Sequence, residues 1–242
     1  MTSFKNNFSR LRLLANKNIS FWDEKSELRF EMIPLKVEDL FFDERIAWFI
    51  NLLETDMVEI QKSIQGYELK DHYDFLNLIC ILSIKDEDAN SLKEMLLYAL
   101  DKLIPGLTFK DKTFKINDYY FTKSLFEEVT DVLFKILDKE RIVIKSTDDE
   151  FTRREKEAQL RAQRIRSNAK KDKEDSTGLE DLFAALLYEF PQYKIEDLFG
   201  LNIYTFYYLF RYVGKIANYE VSKIAYGNGL LKKGKHKHFI EN

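Results

Sequence analysis

Between Asp148 and Asp175 apolar side chains nearly vanish, and this gap constrains the fold more than any other feature of the 242-residue chain. A segment without an apolar stripe has no core of its own. It therefore divides the sequence into a long N-terminal part and a shorter C-terminal part, each of which needs something to pack against. The stretch reads FTRREKEAQLRAQRIRSNAKKDKED, rich in helix formers. It predicts a solvent-exposed connector helix held by i,i+4 pairs such as Glu157 with Arg161, and marginal by itself. The expected organisation is an N-terminal domain over 1–147, a charged helical linker over 148–176 and a C-terminal domain over 177–242. Limited proteolysis is expected to cut first between Arg153 and Lys173.

The N-terminal part mixes two periodicities. Ile19–Trp22 and Glu27–Met32 alternate, with Leu28, Phe30 and Met32 on one face and Glu27, Arg29 and Glu31 on the other, the period of half-buried strands in a hairpin. Pro34 stops the strand. Val37, Leu40, Phe41, Ile46, Phe49, Ile50 and Leu53 then read as a continuing helical pattern, followed by helices through Tyr73–Cys80 and from about Ser91 to Leu103. Pro105-Gly106 ends the last of these and introduces a second hairpin-like segment, LTFKDKTFKINDYYFT. Asp111-Lys112 is a poor type I′ pair, since neither residue welcomes a positive φ, so a turn longer than two residues is expected. Ser124 and Glu127 have capping-box spacing before the stripe Phe126, Val129, Val132, Leu133, Ile136 and Leu137. Ile142-Val143-Ile144 is a last short strand or a covered coil.

The C-terminal part reads as helices only: Leu179 to Leu187 ended by Pro191, a short turn at Ile195–Phe199 stopped near Gly200, and a long helix from about Thr205. No long internal repeat is visible. The fold class is α+β, with short hairpins packed on helices, then the connector, then a small all-helical unit.

Composition narrows the function. Hydrophobic residues make up 45% and charged residues 33%, enough to fold, while only 8 Gly and 3 Pro argue against glycine-cradled phosphate sites. A net charge of −3 gives no global attraction to nucleic acid or anionic membranes. The N-terminus lacks the apolar core and cleavage site of a signal peptide, and no stretch is long and apolar enough to span a bilayer. A cytoplasmic protein is expected, and the single cysteine, Cys80 in an apolar run, reads as a core residue. No G-x-x-x-x-G-K-S/T, G-x-S-x-G, H-E-x-x-H or paired-Cys motif occurs. His236 and His238 have no third ligand nearby. The expectation is a non-enzymatic protein without metal or cofactor.

Two constellations remain. The basic run that includes Arg161, Arg164 and Arg166 is interrupted by acids and contains no aromatic to stack on bases, which favours a solvated linker over nucleic-acid binding, with an acidic protein partner as a further reading. The cluster Tyr204, Phe206, Tyr207, Tyr208, Phe210 and Tyr212 spreads round a helix, so one core cannot take all of it. Phe206 and Phe210 are expected inside. Tyr204, Tyr207, Tyr208 and Tyr212 are either core and rim packing or a partner surface, to which Arg161 and Arg164 would add charge. Ile195–Phe199 followed by the long helix does not make a DNA-reading helix-turn-helix, because Tyr and Phe stand where Arg, Asn or Gln would read bases.

Three passages resemble tail assembly chaperones of bacteriophages infecting Gram-positive bacteria. They are FKINDYYFTKSLFEEVTDVLFKI, the charged REKEAQLRAQRIRSNAKK, and the C-terminal DLFAALL, IEDLFGLNIYTFYYLFRYV and KIANYEV…GKHKHFIE. The resemblance covers roughly residues 107 to 242 and departs from the family pattern at Thr205, where Gln is common, and at Phe239, where Trp is common. It implies an assembly factor in the host cytoplasm. Such a factor binds the tape-measure protein or tail tube subunits and shields apolar helices before the tube polymerises. A structural tail or baseplate component of the virion is the alternative, and a second copy of the chain is a further candidate partner.

Overall fold

A computed structural model of the chain describes residues 4–23, 28–64, 66–83, 87–137, 139, 149–152, 154–156, 158–159 and 179–228. The architecture is α+β, mostly helix with two three-stranded antiparallel sheets. The chain divides into two compact units. The first joins Met1–Leu137 to Glu196–Phe206, and the second comprises Asp138–Ile195 and Tyr207–Asn242.

In the first unit, β1 (Phe4–Asn6), β2 (Ile19–Asp23) and β3 (Arg29–Met32) form a meander, with helix α1 (Arg10–Leu14) between the first two strands. The alternation read from the sequence puts Ile19 and Phe21 of β2 and Phe30 and Met32 of β3 inside. Phe21 lies opposite Phe30 in register, and their rings stack at 5.0 Å. β1 was not anticipated. It is three residues long and carries no alternation to detect.

The helical pattern after Pro34 is broken at Asp43 into α2 (Val37–Phe42) and α3 (Glu44–Glu54). Asp43 has extended backbone and caps α3, accepting a hydrogen bond from the Arg45 N–H at 3.1 Å. The Arg45 guanidinium also donates to both Asp43 oxygens at 3.0 Å and lies over the Tyr98 ring at 3.3 Å. Then follow α4 (Met57–Ser63), α5 (His72–Leu82) and α6 (Glu87–Leu103). Asp56 and Asp71 cap the first two of these through their side chains.

Pro105-Gly106 forms a turn closed by the Leu107 N–H donating to the Ile104 carbonyl at 3.1 Å, with Gly106 at φ +84. A proline followed by a residue at positive φ is the type II arrangement, for which glycine is the least costly choice. The second sheet, β4 (Leu107–Lys110), β5 (Thr113–Ile116) and β6 (Tyr119–Tyr120), corrects one expectation. Lys110 pairs with Thr113, so the turn between them has two residues only, with Asp111 and Lys112 at φ 53 and 61. Asn117 and Asp118, at φ 46 and 70, make the same turn into β6. The strand register imposes the left-handed conformation, and an ion pair at 2.6 Å between Asp111 and Lys115 spans the first turn.

Helix α7 (Lys123–Ile136) starts two residues earlier than the Ser124 cap suggested. Thr122 is the cap, its hydroxyl accepting from the Leu125 N–H. The apolar stripe of α7 is buried as expected. A chain of rings unites this core. Phe30 meets Phe121 edge-on at 6.4 Å, Phe121 meets Phe126 in the same way, and Tyr73 lies against Phe114 and Phe126. The Tyr73 hydroxyl donates to the Phe121 carbonyl at 2.6 Å. Much of the phenylalanine excess is therefore core. Ile142-Val143-Ile144 lies outside the described residues.

The second unit contains α8 (Leu179–Glu189) and most of α10 (Ile203–Gly227); the short α9 (Ile195–Gly200) falls almost wholly in the first. Of the predicted connector, the described residues from 150 to 159 are helical, with Glu150 and Arg154 paired at i,i+4. The Glu157–Arg161 pair lies outside the described residues.

The predicted C-terminal domain over 177–242 needs correction. Its stretch Glu196–Phe206 belongs to the N-terminal unit, where Leu198, Ile203, Tyr204 and Phe206 are buried. The sequence boundary followed chain order, whereas burial follows which apolar faces meet.

Candidate interaction surface

The tyrosine cluster sits on α10, and Asn202 decides how that helix starts. Asn202 is 1% exposed. Its side-chain oxygen accepts from the Thr205 N–H at 2.9 Å, which makes it the cap of the helix. Its amide donates to the Leu13 carbonyl at 2.7 Å and to Asn16 Oδ1 at 3.2 Å. The Thr205 hydroxyl reaches the same Leu13 carbonyl at 3.2 Å. Beside it, the Val37 N–H donates to the Leu201 carbonyl at 2.9 Å and the Ile203 N–H to the Leu35 carbonyl at 2.8 Å, an isolated antiparallel bridge. The Asn202 side chain and the Thr205 hydroxyl thus bond to partners in the same unit. The helix accordingly begins at Ile203 rather than near Thr205.

Burial along α10 separates the cluster. Tyr204 is only 5% exposed and Phe206 is fully buried, so Tyr204 is a core residue and drops out of the partner surface. Its position one turn before Tyr208 looked equally suitable in sequence, but the first turn of α10 is the part embedded in the N-terminal unit. Tyr207 and Tyr212 are half-buried, Tyr208 is 40% exposed, and Phe210, expected inside, is half-buried. Within the second unit the Tyr212 ring stacks on Phe190 at 6.5 Å, and Phe190 meets Tyr193 at 6.4 Å. Further along α10, Val221 and Ile224 are well exposed. Of the tyrosines that remain, Tyr208 is exposed and Tyr207 and Tyr212 are partly covered. Arg161, Arg164, His236 and His238 lie outside the described residues.

Cys80 is buried, and burial pushes its thiol up to about 12. A thiol so placed stays protonated at neutral pH and is a poor nucleophile. Among the described residues no group of three or more His, Cys, Asp or Glu is placed to hold a metal ion, and no helix is long and apolar enough to cross a membrane.

Sequence reading missed a short repeat. Val37-Glu38-Asp39-Leu40-Phe41, Leu179-Glu180-Asp181-Leu182-Phe183 and Ile195-Glu196-Asp197-Leu198-Phe199 share an aliphatic-Glu-Asp-Leu-Phe pattern, and each opens a helix. The acids suit the positive end of the helix dipole. The buried member differs between copies: Phe183 in α8, Leu198 in α9 and Val37 in α2. Two copies fall in the first unit, where the Phe42 ring, next to the repeat, meets Phe199 edge-on at 5.1 Å. A search for self-similarity at five residues would have found the pattern, though not its placement.

No protein-family model, curated protein or solved structure matches this chain.

Proposed function

We propose that this chain is a non-enzymatic phage tail morphogenesis factor, an assembly chaperone that binds the tape-measure protein or tail tube subunits in the host cytoplasm. The observation that carries the reading is the exposure of Tyr208 on α10, with the half-buried Tyr207 beside it, within the passage that resembles the family. Tyrosine joins a large apolar ring to a polar tip and loses little entropy on docking, which suits a surface that covers amphipathic helices transiently.

The test is co-purification with tape-measure fragments, comparing the wild type with Tyr207→Ala plus Tyr208→Ala. Binding by the wild type and its loss in the variant are expected. A structural virion component is the rival reading. Finding the protein stoichiometrically in purified particles would favour it, because a chaperone leaves before the particle is complete.

A further inference from the structure

Two of the three Glu-Asp-Leu-Phe repeats meet in the N-terminal unit, where they leave an aromatic cluster facing solvent. The Phe42 ring packs edge-on against Phe199 of α9, yet Phe42 remains 65% exposed, and Phe41 beside it is 40% exposed. Two adjacent phenylalanines turned outward on a six-residue helix carry a standing cost in apolar hydration. Clustered exposure of this kind marks an interaction site more often than scattered surface residues do.

The repeat itself supplies an acidic rim. Glu stands three residues before Phe, so Glu38 shares a helix face with Phe41 and Phe42, and Glu196 shares one with Phe199. Glu44 opens α3 two residues beyond Phe42. The cations of this stretch are already engaged by its acids: Lys36 by Glu38, Arg45 by Asp43 and Lys102 by Asp39. Among the described residues no cation pairs with Glu44 or Glu196.

We propose that this face docks a basic amphipathic helix of a partner protein, its apolar stripe on Phe41, Phe42 and Phe199 and its Lys or Arg side chains on Glu44 and Glu196. The charge decides the occupant. A second copy of the same face would set carboxylates against carboxylates, and nucleic acid or an anionic bilayer would meet repulsion. An apolar stripe flanked by cations satisfies both the rings and the rim. The site belongs to the first unit, whereas Tyr207, Tyr208 and Tyr212 belong to the second, and it does not depend on the tail-assembly reading.

Fluorescence anisotropy with the full chain tests this. The probe is a labelled Leu/Lys amphipathic helix of about five turns, compared with a Leu/Glu helix and a Lys/Ser peptide lacking the stripe, at near-physiological salt. The Leu/Lys helix is expected to bind and the other two are not. Phe41→Ser plus Phe42→Ser should weaken binding at least about tenfold, as expected for anchor aromatics. Glu44→Lys plus Glu196→Lys should weaken it comparably, with circular dichroism unchanged in both variants because the altered side chains are exposed. Absence of Leu/Lys binding, equal binding of the Lys/Ser peptide, or indifference to the Phe pair or to the charge reversal would each overturn the proposal.

Discussion

Replacing Asn202 by Ala should destabilise the N-terminal unit, although the residue lies almost 190 positions beyond the helix it holds. The Asn202 side chain makes three hydrogen bonds in a site only 1% exposed. Loss of the cap on α10 costs about 1 kcal/mol. Each of the two donated bonds adds about 1 kcal/mol, the ordinary net worth of a buried hydrogen bond. The total is about 3 kcal/mol, which at a urea slope of about 2 kcal/mol/M lowers the midpoint by roughly 1.5 M. The assay is selective, because the only two tryptophans, Trp22 and Trp48, both lie in this unit. Their fluorescence reports unfolding of the N-terminal unit and not of α8 or the distal part of α10. Asn202→Asp is the discriminating control. It keeps an acceptor for the Thr205 N–H but turns a carboxylate against the Leu13 carbonyl and Asn16 Oδ1, so it should be no more stable than the alanine variant. A tryptophan midpoint moved by less than the equivalent of about 0.5 kcal/mol in Asn202→Ala would refute the idea that this junction ties the two ends of the chain together.

Further tests address other parts of the fold. A chain nicked between residues 153 and 173 should stay together on gel filtration, because its C-terminal fragment carries the Leu198, Ile203, Tyr204 and Phe206 side chains buried in the N-terminal unit; separation of the fragments without denaturant would contradict that placement. Cys80, with its thiol raised to about 12, should react with a maleimide or disulfide reagent only as fast as the protein opens, so labelling should accelerate steeply with urea. Lys112→Gly should raise stability by about 0.5–1 kcal/mol, since the residue occupies φ 61 in a type I′ turn where glycine carries no steric penalty. Asp43 is held down at about 2 from 3.8, chiefly by hydrogen bonds from the Arg45 side chain. A folded pKa below the unfolded one gives stability that is complete above pH 4 and is lost as pH falls towards 2, so the gap between wild type and Asp43→Asn should close over that interval.

What the sequence made legible is what depends on neighbours in the chain. The alternation in β2 and β3 and the stripes of α5, α6 and α7 are set by which side of a strand or helix each apolar residue occupies, and they were found where periodicity put them save at the start of α6, which begins at Glu87 and leaves Leu92 exposed. Pro105-Gly106 likewise announced its turn, since its dihedral preferences are local. The failures share a different cause. Asp111-Lys112 takes a left-handed turn against its own preference, because the register of Lys110 with Thr113 and of Phe109 with Phe114 admits two linking residues. Asp43 interrupts an apolar pattern that reads as continuous, because a capping carboxylate with Arg45 beside it outweighs propagation of a short helix.

The α10 tyrosines mark the limit of local reading most plainly. Tyr204 and Tyr208 are one helical turn apart, identical in type and alike in surroundings, yet one is core and the other outward. The difference comes from Asn202 and its bonds to Leu13 and Asn16, which commit the first turn of α10 to a unit built mainly from the other end of the chain. The same holds for the Glu-Asp-Leu-Phe repeats. Their chemistry makes each one a helix start with an acidic first turn, but Phe183 is buried while Phe41 stays exposed, because the faces that meet them differ. Candidate binding surfaces are therefore found by subtraction. Long-range packing buries Phe183, Tyr204 and Phe206 and leaves Phe41, Phe42 and Tyr208 exposed, so the candidates are what the core does not take up.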